Sequence, residues 1–389
     1  GHAVINEDRC IDCGECIRVC PNNAKKAMCS KLEHYQGYKW KIALPAPSLY
    51  GQFDNLEDVD TVLQGLLDIG FDDVFEVAKA AEYVTEYTRL YLKTEGIKKP
   101  VISSACPVVV RLISLRYPYL RDNLMPILPP LEIAAKMARQ KAKEEHPEFK
   151  DSDIGLFFIS PCPGKVSYIR NGFGDYKSEI DVVISLKDVY FKLIAAMKRD
   201  KSPDVASETG MIGVGWASSG GESSAILNDN YLAADGIENV NKVLDAIENG
   251  NIPQLEFVEL NACTGGCVGG VMTIENPFIA RTRLHSVRRY LPVSVNRLPK
   301  GTKFIPDNIL SYELPEYTPV TRLSKSFSES MRMMAQIQEI RESLPGIDCG
   351  ACGSPTCKAF AEDIVRGQAD ISLCRVMNCS PKGEKENDS

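Results

Sequence analysis

Short apolar runs alternate with amphipathic stretches over most of the chain. Three continuous runs rich in Val, Ile and Phe occupy residues 99–104, 153–160 and 254–260 (KPVISS, DIGLFFIS and QLEFVEL). Such runs are typical of strands in a parallel sheet whose two faces are both covered. Further strands are predicted at residues 41–48, 70–77 and 180–185. Helices are predicted at residues 56–69, 79–95, 130–145, 187–199 and 238–248.

This alternation predicts an α/β domain over residues 38–318, in which two lobes with parallel sheets face each other across a cleft. The strand and helix pattern runs once up to residue 145 and again from residue 153, so each half is expected to form one lobe. The glycine-rich segment at residues 213–225 is predicted as a turn. A linking helix is predicted at residues 319–344, because its apolar positions follow three-and-four spacing. The charged tail at residues 381–389 is predicted to be disordered.

The composition narrows the class of protein. The chain has 389 residues, 44% of them hydrophobic, with a formal net charge of −7 and a pI near 5.4. This indicates a globular protein and argues against nucleic acid as a partner. No apolar run approaches the roughly 18 residues of a membrane span, and there is no signal-peptide pattern. Because cysteines at metal-ligand spacings are typical of reduced thiols, a cytoplasmic location is predicted.

The fourteen cysteines fall largely into three groups, and the middle group indicates a site. Cys106, Cys162 and the pair Cys263 and Cys267 each lie in a Pro- or Gly-rich turn directly after one of the three apolar strands. Ligands bind at the carboxyl ends of strands in open parallel sheets. We therefore expect these four thiolates to converge on one buried metal centre.

The N-terminal group predicts an iron-sulfur module over residues 1–36. Cys10, Cys13, Cys16 and Cys20 form the run C-x2-C-x2-C-x3-C-P of bacterial ferredoxins. Either Cys20 or Cys29 completes a single [4Fe-4S] cluster, or Cys20 serves a second cluster of a two-cluster domain of which the chain holds only part. The second alternative is preferred. A zinc site is disfavoured because no histidine lies near these cysteines.

The C-terminal group predicts another [4Fe-4S] domain, over residues 345–380. Its ligands are Cys349, Cys352, Cys357 and Cys374, with glycines at 350 and 353 that allow a tight fold and a helix at 356–367. The pattern CxxCGxPxC resembles a small domain of several anaerobic electron-transfer and corrinoid proteins. Cys29 and Cys379 are left without an assigned role.

The three middle segments, SSACPVV, SPCPGKVSY and ELNACTGGCVGGV, resemble the three signature loops of [FeFe]-hydrogenases over residues 38–300. The family patterns are TSCCPxW, MPCxxKxxE and ExxACxGGCxxGGG. The resemblance implies that Cys106, Cys162, Cys263 and Cys267 hold the cubane of an H-cluster. It further implies that Cys267 bridges to a two-iron subsite with CO, cyanide and dithiolate ligands. Lys165 matches the lysine that hydrogen-bonds a cyanide; the alternative for Lys165 is a solvated surface lysine.

The chain also departs from those patterns. Ala105 stands where hydrogenases carry a proton-relaying cysteine, and Ser160, Tyr168 and Asn261 replace a methionine, a glutamate and a methionine. These changes resemble the sensory-type hydrogenases with an N-terminal ferredoxin module and a C-terminal [4Fe-4S] domain. The resemblance implies a slow, reversible reaction of 2H⁺ + 2e⁻ with H₂, and a ferredoxin or a signalling protein as redox partner. Asn261, Ser160 or water offers another proton route. An electron-transfer protein with cubanes alone and an iron-sulfur assembly scaffold remain as alternatives.

Overall fold

The computed structural model describes residues 5–7, 9–32, 37–172, 176–198, 203–311, 323–324 and 326–378. The chain divides into two compact units, Gly1–Thr318 and Pro319–Ser389. The finer division into the predicted modules stays a prediction, and the predicted tail lies outside the described residues. In the described part of the chain, no helix is long and apolar enough to cross a membrane.

The described strands are β1 (Trp40–Pro45), β2 (Asp73–Val74), β3 (Val101–Ile102), β4 (Ile154–Ser160), β5 (Val182–Ser185), β6 (Tyr231–Asp235) and β7 (Phe257–Asn261). The helices of the first unit are α1 (Glu15–Arg18), α2 (Asp60–Asp68), α3 (Val77–Tyr91), α4 (Pro107–Arg116), α5 (Pro130–Glu145), α6 (Pro163–Asn171), α7 (Leu186–Met197), α8 (Met211–Gly215), α9 (Gly221–Ala225), α10 (Ile237–Glu248) and α11 (Pro277–Arg288). The second unit contains α12 (Phe327–Ser343) and α13 (Cys357–Val365).

Two parallel sheets organise the first unit. The larger has the order β2-β1-β4-β5 and the smaller the order β3-β7-β6. All their strand pairs are parallel, so the predicted α/β class is confirmed. The expectation that each lobe follows one half of the chain is wrong, because β1 pairs with β4 and β3 pairs with β7. Parallel neighbours are joined by crossovers, so chain order does not fix which strands pair.

The apolar runs are explained by burial on both faces of the larger sheet. On one face, Leu44 and Phe158 pack with apolar side chains of α3 and α5. On the other face, Ala43 and Phe157 pack with side chains of α2 and α7. Because successive side chains of a strand point to opposite faces, such a strand must be apolar at every position. Every residue of β4 is accordingly buried.

Some segments differ from their prediction. The segments after Cys106 and Cys162, interpreted as turns, begin helices α4 and α6, each with proline in the first turn. The glycine-rich segment predicted as a turn contains the short helices α8 and α9, and the strand β6 was not predicted. A Cβ on Gly221 would lie 1.9 Å from the carbonyl oxygen of Gly215. The glycine there permits close backbone packing between two helices, which composition alone does not distinguish from a turn.

The second unit has a small core of its own. Ile337, Leu344, Phe360, Ala361 and Cys374 form its buried apolar cluster. The predicted linking helix is described only as α12, and its predicted core-facing stripe is partly wrong, since Met331 and Met334 are more than half exposed. Residues 319–322 lie outside the described residues.

Candidate metal centre

The four middle cysteines follow the carboxyl ends of buried strands. Cys106 precedes α4 just beyond β3, Cys162 precedes α6 just beyond β4, and Cys263 and Cys267 follow β7. The structure brings all four together. Burial raises the pKa of Cys162 and of Cys263, and the charges of the other middle thiolates raise both pKa values further. Because a metal binds thiolates, loading this site releases protons and is favoured by rising pH.

Lys165 lies among these thiols and is 9% exposed, so it is not a solvated surface lysine. It belongs to α6, and its Nζ donates to Sγ of Cys267 at 3.4 Å. Burial alone would lower the pKa of Lys165, but the thiolates, Cys267 foremost, raise it well above its usual range. A protonated ammonium is therefore held beside Cys267, aimed at whatever anionic group lies there.

The turn that carries Cys267 is packed too tightly for side chains at its glycines. Gly266 has φ +89°, and a Cβ there would lie 2.5 Å from the backbone nitrogen of Ser219. A Cβ on Gly270 would lie 2.3 Å from the carbonyl oxygen of Pro161, the residue before Cys162. The Gly266 contact holds the Cys267 turn against the segment of Ser219, and the Gly270 contact holds it against the Cys162 turn.

A cavity of about 610 Å³ opens beside Cys267. Its walls include Ala105, Cys106, Lys165, Glu222, Glu259, Asn261 and Cys267. In the described residues, no three Cys, His, Asp or Glu side chains are arranged to hold a single metal ion. Four thiols with adjoining space and a buried ammonium fit a [4Fe-4S] cubane with room for a further anionic group beside Cys267.

Two buried carboxyls at the cavity wall were not singled out from the sequence. Oε2 of Glu222 accepts a hydrogen bond from the Ser103 hydroxyl at 2.6 Å, while its Oε1 is buried without a partner in the described structure. Glu259 accepts from Asn261 Nδ2 at 2.8 Å and from the amides of Gly220 and Ser223. Burial raises the pKa of both groups, and the Glu259 charge raises that of Glu222 further. One signal was available: Glu259 is a charged residue between the buried, apolar Val258 and Leu260, and it matches the glutamate that opens the third family pattern.

The residues that replace family positions differ in their surroundings. Ala105 contributes only a methyl group to the cavity. The Ser160 hydroxyl is committed to the carbonyl oxygen of Cys162 at 2.9 Å. Tyr168 lines a separate, mostly apolar cavity of about 460 Å³, and burial raises its pKa well above the usual range. Of Ser160, Tyr168 and Asn261, only Asn261 lines the cavity beside Cys267.

The N-terminal cysteines are also placed near the central site. Cys13 packs against the same apolar cluster as Cys106. Burial is the main cause that raises the pKa of Cys10 and Cys13. Cys20 accepts from the amide of Ala24 at 3.4 Å, and backbone amides lower its pKa. Cys29 lies 3.9 Å from Sδ of Met272, and burial raises its pKa to about 11.

In the second unit, three of the four predicted ligands share one small core. Cys374 is buried there, and Cys352 and Cys357 pack against the same cluster, while Cys349 is exposed. Gly350 and Gly353 have φ of +72° and +97°, which allows the tight loop that the spacing predicted. Oδ1 of Asp348 accepts from the amide of Cys357 at 2.6 Å and holds the loop against α13. Cys379 lies outside the described residues.

Parallel sheets with cysteine groups at their carboxyl ends and in flanking modules define an iron-sulfur protein. The family model for the iron only hydrogenase large subunit, C-terminal domain, matches residues 39–231 and 227–271. The chain belongs to this family. A 4Fe-4S binding domain model matches residues 3–26, and a model for an Fe-S cluster domain matches residues 344–376.

Solved structures of [FeFe]-hydrogenases are similar to part of the chain. A variant of HydA1 from Chlamydomonas reinhardtii is 17% identical, with a TM-score of 0.47, over 63% of this chain and 84% of that one. A HydA(deltaEFG) structure, described as revealing stepwise H-cluster assembly, is 17% identical with a TM-score of 0.48, over 65% of this chain and 86% of that one.

Curated relatives match only short segments. A component of an ion-translocating oxidoreductase complex from Rhodobacter capsulatus is 45% identical over 38 residues, which is 10% of this chain and 20% of the relative. A component of the Na(+)-translocating ferredoxin:NAD(+) oxidoreductase complex from Acetobacterium woodii is 49% identical over 41 residues, 10% of this chain and 12% of the relative. The chain thus spans a fifth or less of the length of these two relatives.

Proposed function

We propose that this chain is a slow [FeFe]-hydrogenase that reacts reversibly with H₂ and serves as a hydrogen sensor. Cys106, Cys162, Cys263 and Cys267 would hold the cubane, and Cys267 would also be a ligand of the two-iron subsite. When bound, that subsite supplies the metal chemistry by which 2H⁺ + 2e⁻ and H₂ interconvert. The observation that carries the proposal is the buried Lys165 ammonium, 3.4 Å from Cys267 beside a cavity.

The role of Lys165 separates this function from simple electron transfer. A cubane held by four thiolates needs no buried ammonium and no adjoining space. Burying a charge is costly unless an opposite charge compensates it. The thiolates compensate it partly, and an anionic cyanide ligand in the cavity would accept further hydrogen bonds from the same ammonium. Lys165 is thereby the residue that binds and orients the subsite.

Proton transfer takes a different route from the one that the family patterns imply. Ala105 carries no transferable proton, whereas Glu222 faces the same cavity with a carboxyl whose Oε1 is unpartnered in the described structure. Burial raises the pKa of the Glu222 carboxyl, and a carboxyl with a raised pKa can donate a proton and take one back. We assign Glu222 as the carrier at the cavity, with Glu259 as the second carboxyl of this wall. Both protons of each H₂ would pass through this pair.

The electrons are assigned to the flanking clusters. Cys10, Cys13 and Cys16 hold the N-terminal cluster, and Cys349, Cys352, Cys357 and Cys374 hold the C-terminal one. A ferredoxin-type carrier or a signalling protein is the proposed redox partner. With a proposed electron carrier in each flanking cysteine segment of the sequence and an indirect proton route, we expect protons to limit turnover, which suits a sensor better than a bulk catalyst.

Infrared spectroscopy tests the proposal. Anaerobically maturated protein is expected to show metal-bound CO and cyanide bands that shift between argon and H₂. Iron content that matches cubanes alone, with no such bands, would move the protein to electron transfer or iron-sulfur assembly. The Cys267→Ser variant serves as control, because it should lose the bands and keep both flanking clusters.

A further inference from the structure

The segment that carries Cys10, Cys13 and Cys16 lies directly on the turns that carry the central cysteines. Gly14 has φ +79°, and a Cβ there would lie 2.6 Å from Cγ2 of Val271 and 3.1 Å from Cγ of Pro163. Pro163 follows Cys162, and Val271 follows the Cys267 turn. The N-terminal segment therefore approaches both turns as closely as a glycine backbone permits.

Arg18 joins the same two segments by a hydrogen bond. Its Nη2 donates to the carbonyl oxygen of Gly269 at 2.8 Å, and its Nε donates to Oε1 of Glu15 at 3.0 Å. Arg18 comes two residues after Cys16, and Gly269 comes two residues after Cys267. Arg18 thus links two segments of the chain, each of which carries a ligand of one proposed cluster, although Arg18 and Gly269 are 251 residues apart in sequence.

The acceptor of this bond is itself held rigidly. The amide of Gly269 donates to the carbonyl oxygen of Gly266 at 3.1 Å. A Cβ on Gly269 would lie 2.0 Å from the carbonyl oxygen of Thr264. Because the Cys267 turn is tightly packed, its Gly269 carbonyl oxygen is fixed and sets the position of the Arg18 side chain that donates to it. The N-terminal segment is also held by an ion pair between Asp12 and Arg111 of α4, whose charged atoms lie 3.2 Å apart.

We propose that Arg18 is a positioning residue that holds the N-terminal cluster in electronic contact with the central cubane. The inference rests on the proposed function, which assigns clusters to both cysteine groups. In the step concerned, one electron leaves the reduced N-terminal cluster and enters the oxidised central cubane, with no bond made or broken. An external one-electron donor then reduces the N-terminal cluster again. The guanidinium charge would also favour the reduced state of an anionic cluster held nearby by either cysteine group.

The test uses the full chain reconstituted with its [4Fe-4S] clusters alone and reduced with dithionite. Arg18→Gln keeps a short donor, and Arg18→Met keeps only the apolar stem. Arg9→Gln is the matched control, because Arg9 is exposed in the same segment and its side chain has no hydrogen bond or ion pair in the described structure. Iron content and the spin–spin interaction between the two reduced clusters are measured by paramagnetic resonance.

We expect the wild type and Arg9→Gln to show the same interaction, and both Arg18 variants to show a weaker one at unchanged iron content. Loss of one charge-assisted hydrogen bond should lower the ratio of docked to undocked segment about tenfold. Amide hydrogen exchange over residues 9–20 should speed up by the same factor. Wild-type coupling in either Arg18 variant with full iron would overturn the proposal, as would an equal loss in Arg9→Gln.

This readout is independent of the two-iron subsite. If infrared bands are absent but the Arg18 variants show weaker coupling, the proposed function fails and the positioning role stands. If the bands are present and the coupling is unchanged, the positioning role alone fails. Two variants are used so that a folding defect in one still leaves the other as a test.

Discussion

The proton route assigned to Glu222 can be tested by replacing that residue with glutamine. Glutamine matches the carboxyl in size, and its oxygen can still accept from the Ser103 hydroxyl, which lies 2.6 Å from Oε2 of the glutamate. It cannot release and regain a proton. Because positioned acid–base groups contribute about 10²–10⁴-fold to rates, Glu222→Gln should lower H₂ turnover by about 100-fold. Turnover is measured as dye-coupled H₂ oxidation and as H₂ evolution from a chemical reductant, per infrared-quantified subsite.

A double-mutant cycle with Ala105→Cys shows whether the loss of H₂ turnover in Glu222→Gln comes from slower proton transfer. Ala105 lines the same cavity as Glu222, so a thiol there offers an alternative carrier. We expect Ala105→Cys to raise turnover and Glu222→Gln to cost much less in that background than alone. Glu132→Gln is the matched control, since Glu132 is fully buried with an unpartnered Oε1 in the described structure and lies outside the walls of that cavity. An equal loss in both backgrounds, or a similar loss in the control, would refute the carrier role.

The Glu222→Gln variant should also change how the stability of the protein depends on pH. The raised pKa keeps Glu222 protonated in the fold to a higher pH than in the unfolded chain, where the carboxyl ionises above about pH 4.3. Between those two pKa values the native state binds more protons than the unfolded state, so stability falls as pH rises. Glu222→Gln removes this contribution. The unfolding midpoint of the cluster-loaded variant should therefore fall less between pH 5 and 8 than that of the wild type; identical slopes would show that Glu222 is ionised in the fold.

Three further predictions concern the metal sites. Lys165→Met should remove the CO and cyanide bands while leaving the iron of the three cubanes, whereas retained bands would show that the ammonium does not hold the subsite. Gly269→Ala should destabilise the loaded protein by about 1–3 kcal/mol in denaturant unfolding, because its Cβ would lie 2.0 Å from the Thr264 oxygen; Gly37→Ala, with open space around the new methyl, is the neutral control. In cluster-free protein at pH 8, Cys20 should be alkylated much faster than Cys29, whose pKa of about 11 leaves roughly one thiolate in a thousand; comparable rates by mass spectrometry would contradict these surroundings.

The convergence of the four central cysteines was predictable because its information is local. Cys106, Cys162 and Cys263 each follow a short apolar strand, and parallel strands present their carboxyl ends at one edge of a sheet. That rule suffices to bring distant thiols together, even though the lobes do not follow the halves of the chain. The error in the lobes left the site intact, because both sheets direct their carboxyl ends toward it.

The proposed proton carriers were not predictable, because the role of a carboxyl depends on the groups that surround it in the fold. Glu222 lies in a glycine-rich segment whose composition is typical of a turn, and only the structure shows α9 placing it against Ser103 and the cavity. Its partner Glu259 stands in β7, where a charged residue signals something unusual but names no neighbour. The hydrogen bond between Arg18 and the carbonyl oxygen of Gly269 could not be predicted from the sequence either, since neither residue is a fixed position of a cysteine pattern.

On the proposed function, the difference between the residues that hold the metal groups and those that carry protons would explain how a hydrogenase fold serves detection instead of fast turnover. The residues proposed to hold and orient the metal groups, Cys267 and Lys165 among them, keep the spacing of the family loops. Ala105 stands where the family patterns carry a proton-relaying cysteine, and the carboxyls of Glu222 and Glu259 lie at the wall of the same cavity. On the proposed function, binding of H₂ would depend on the first set of residues and the rate of proton exchange on these carboxyls. On the proposed function, a change confined to the proton carriers therefore slows turnover while leaving the response of the cluster to H₂ intact, and the cycle of Ala105→Cys with Glu222→Gln separates these two properties within one chain.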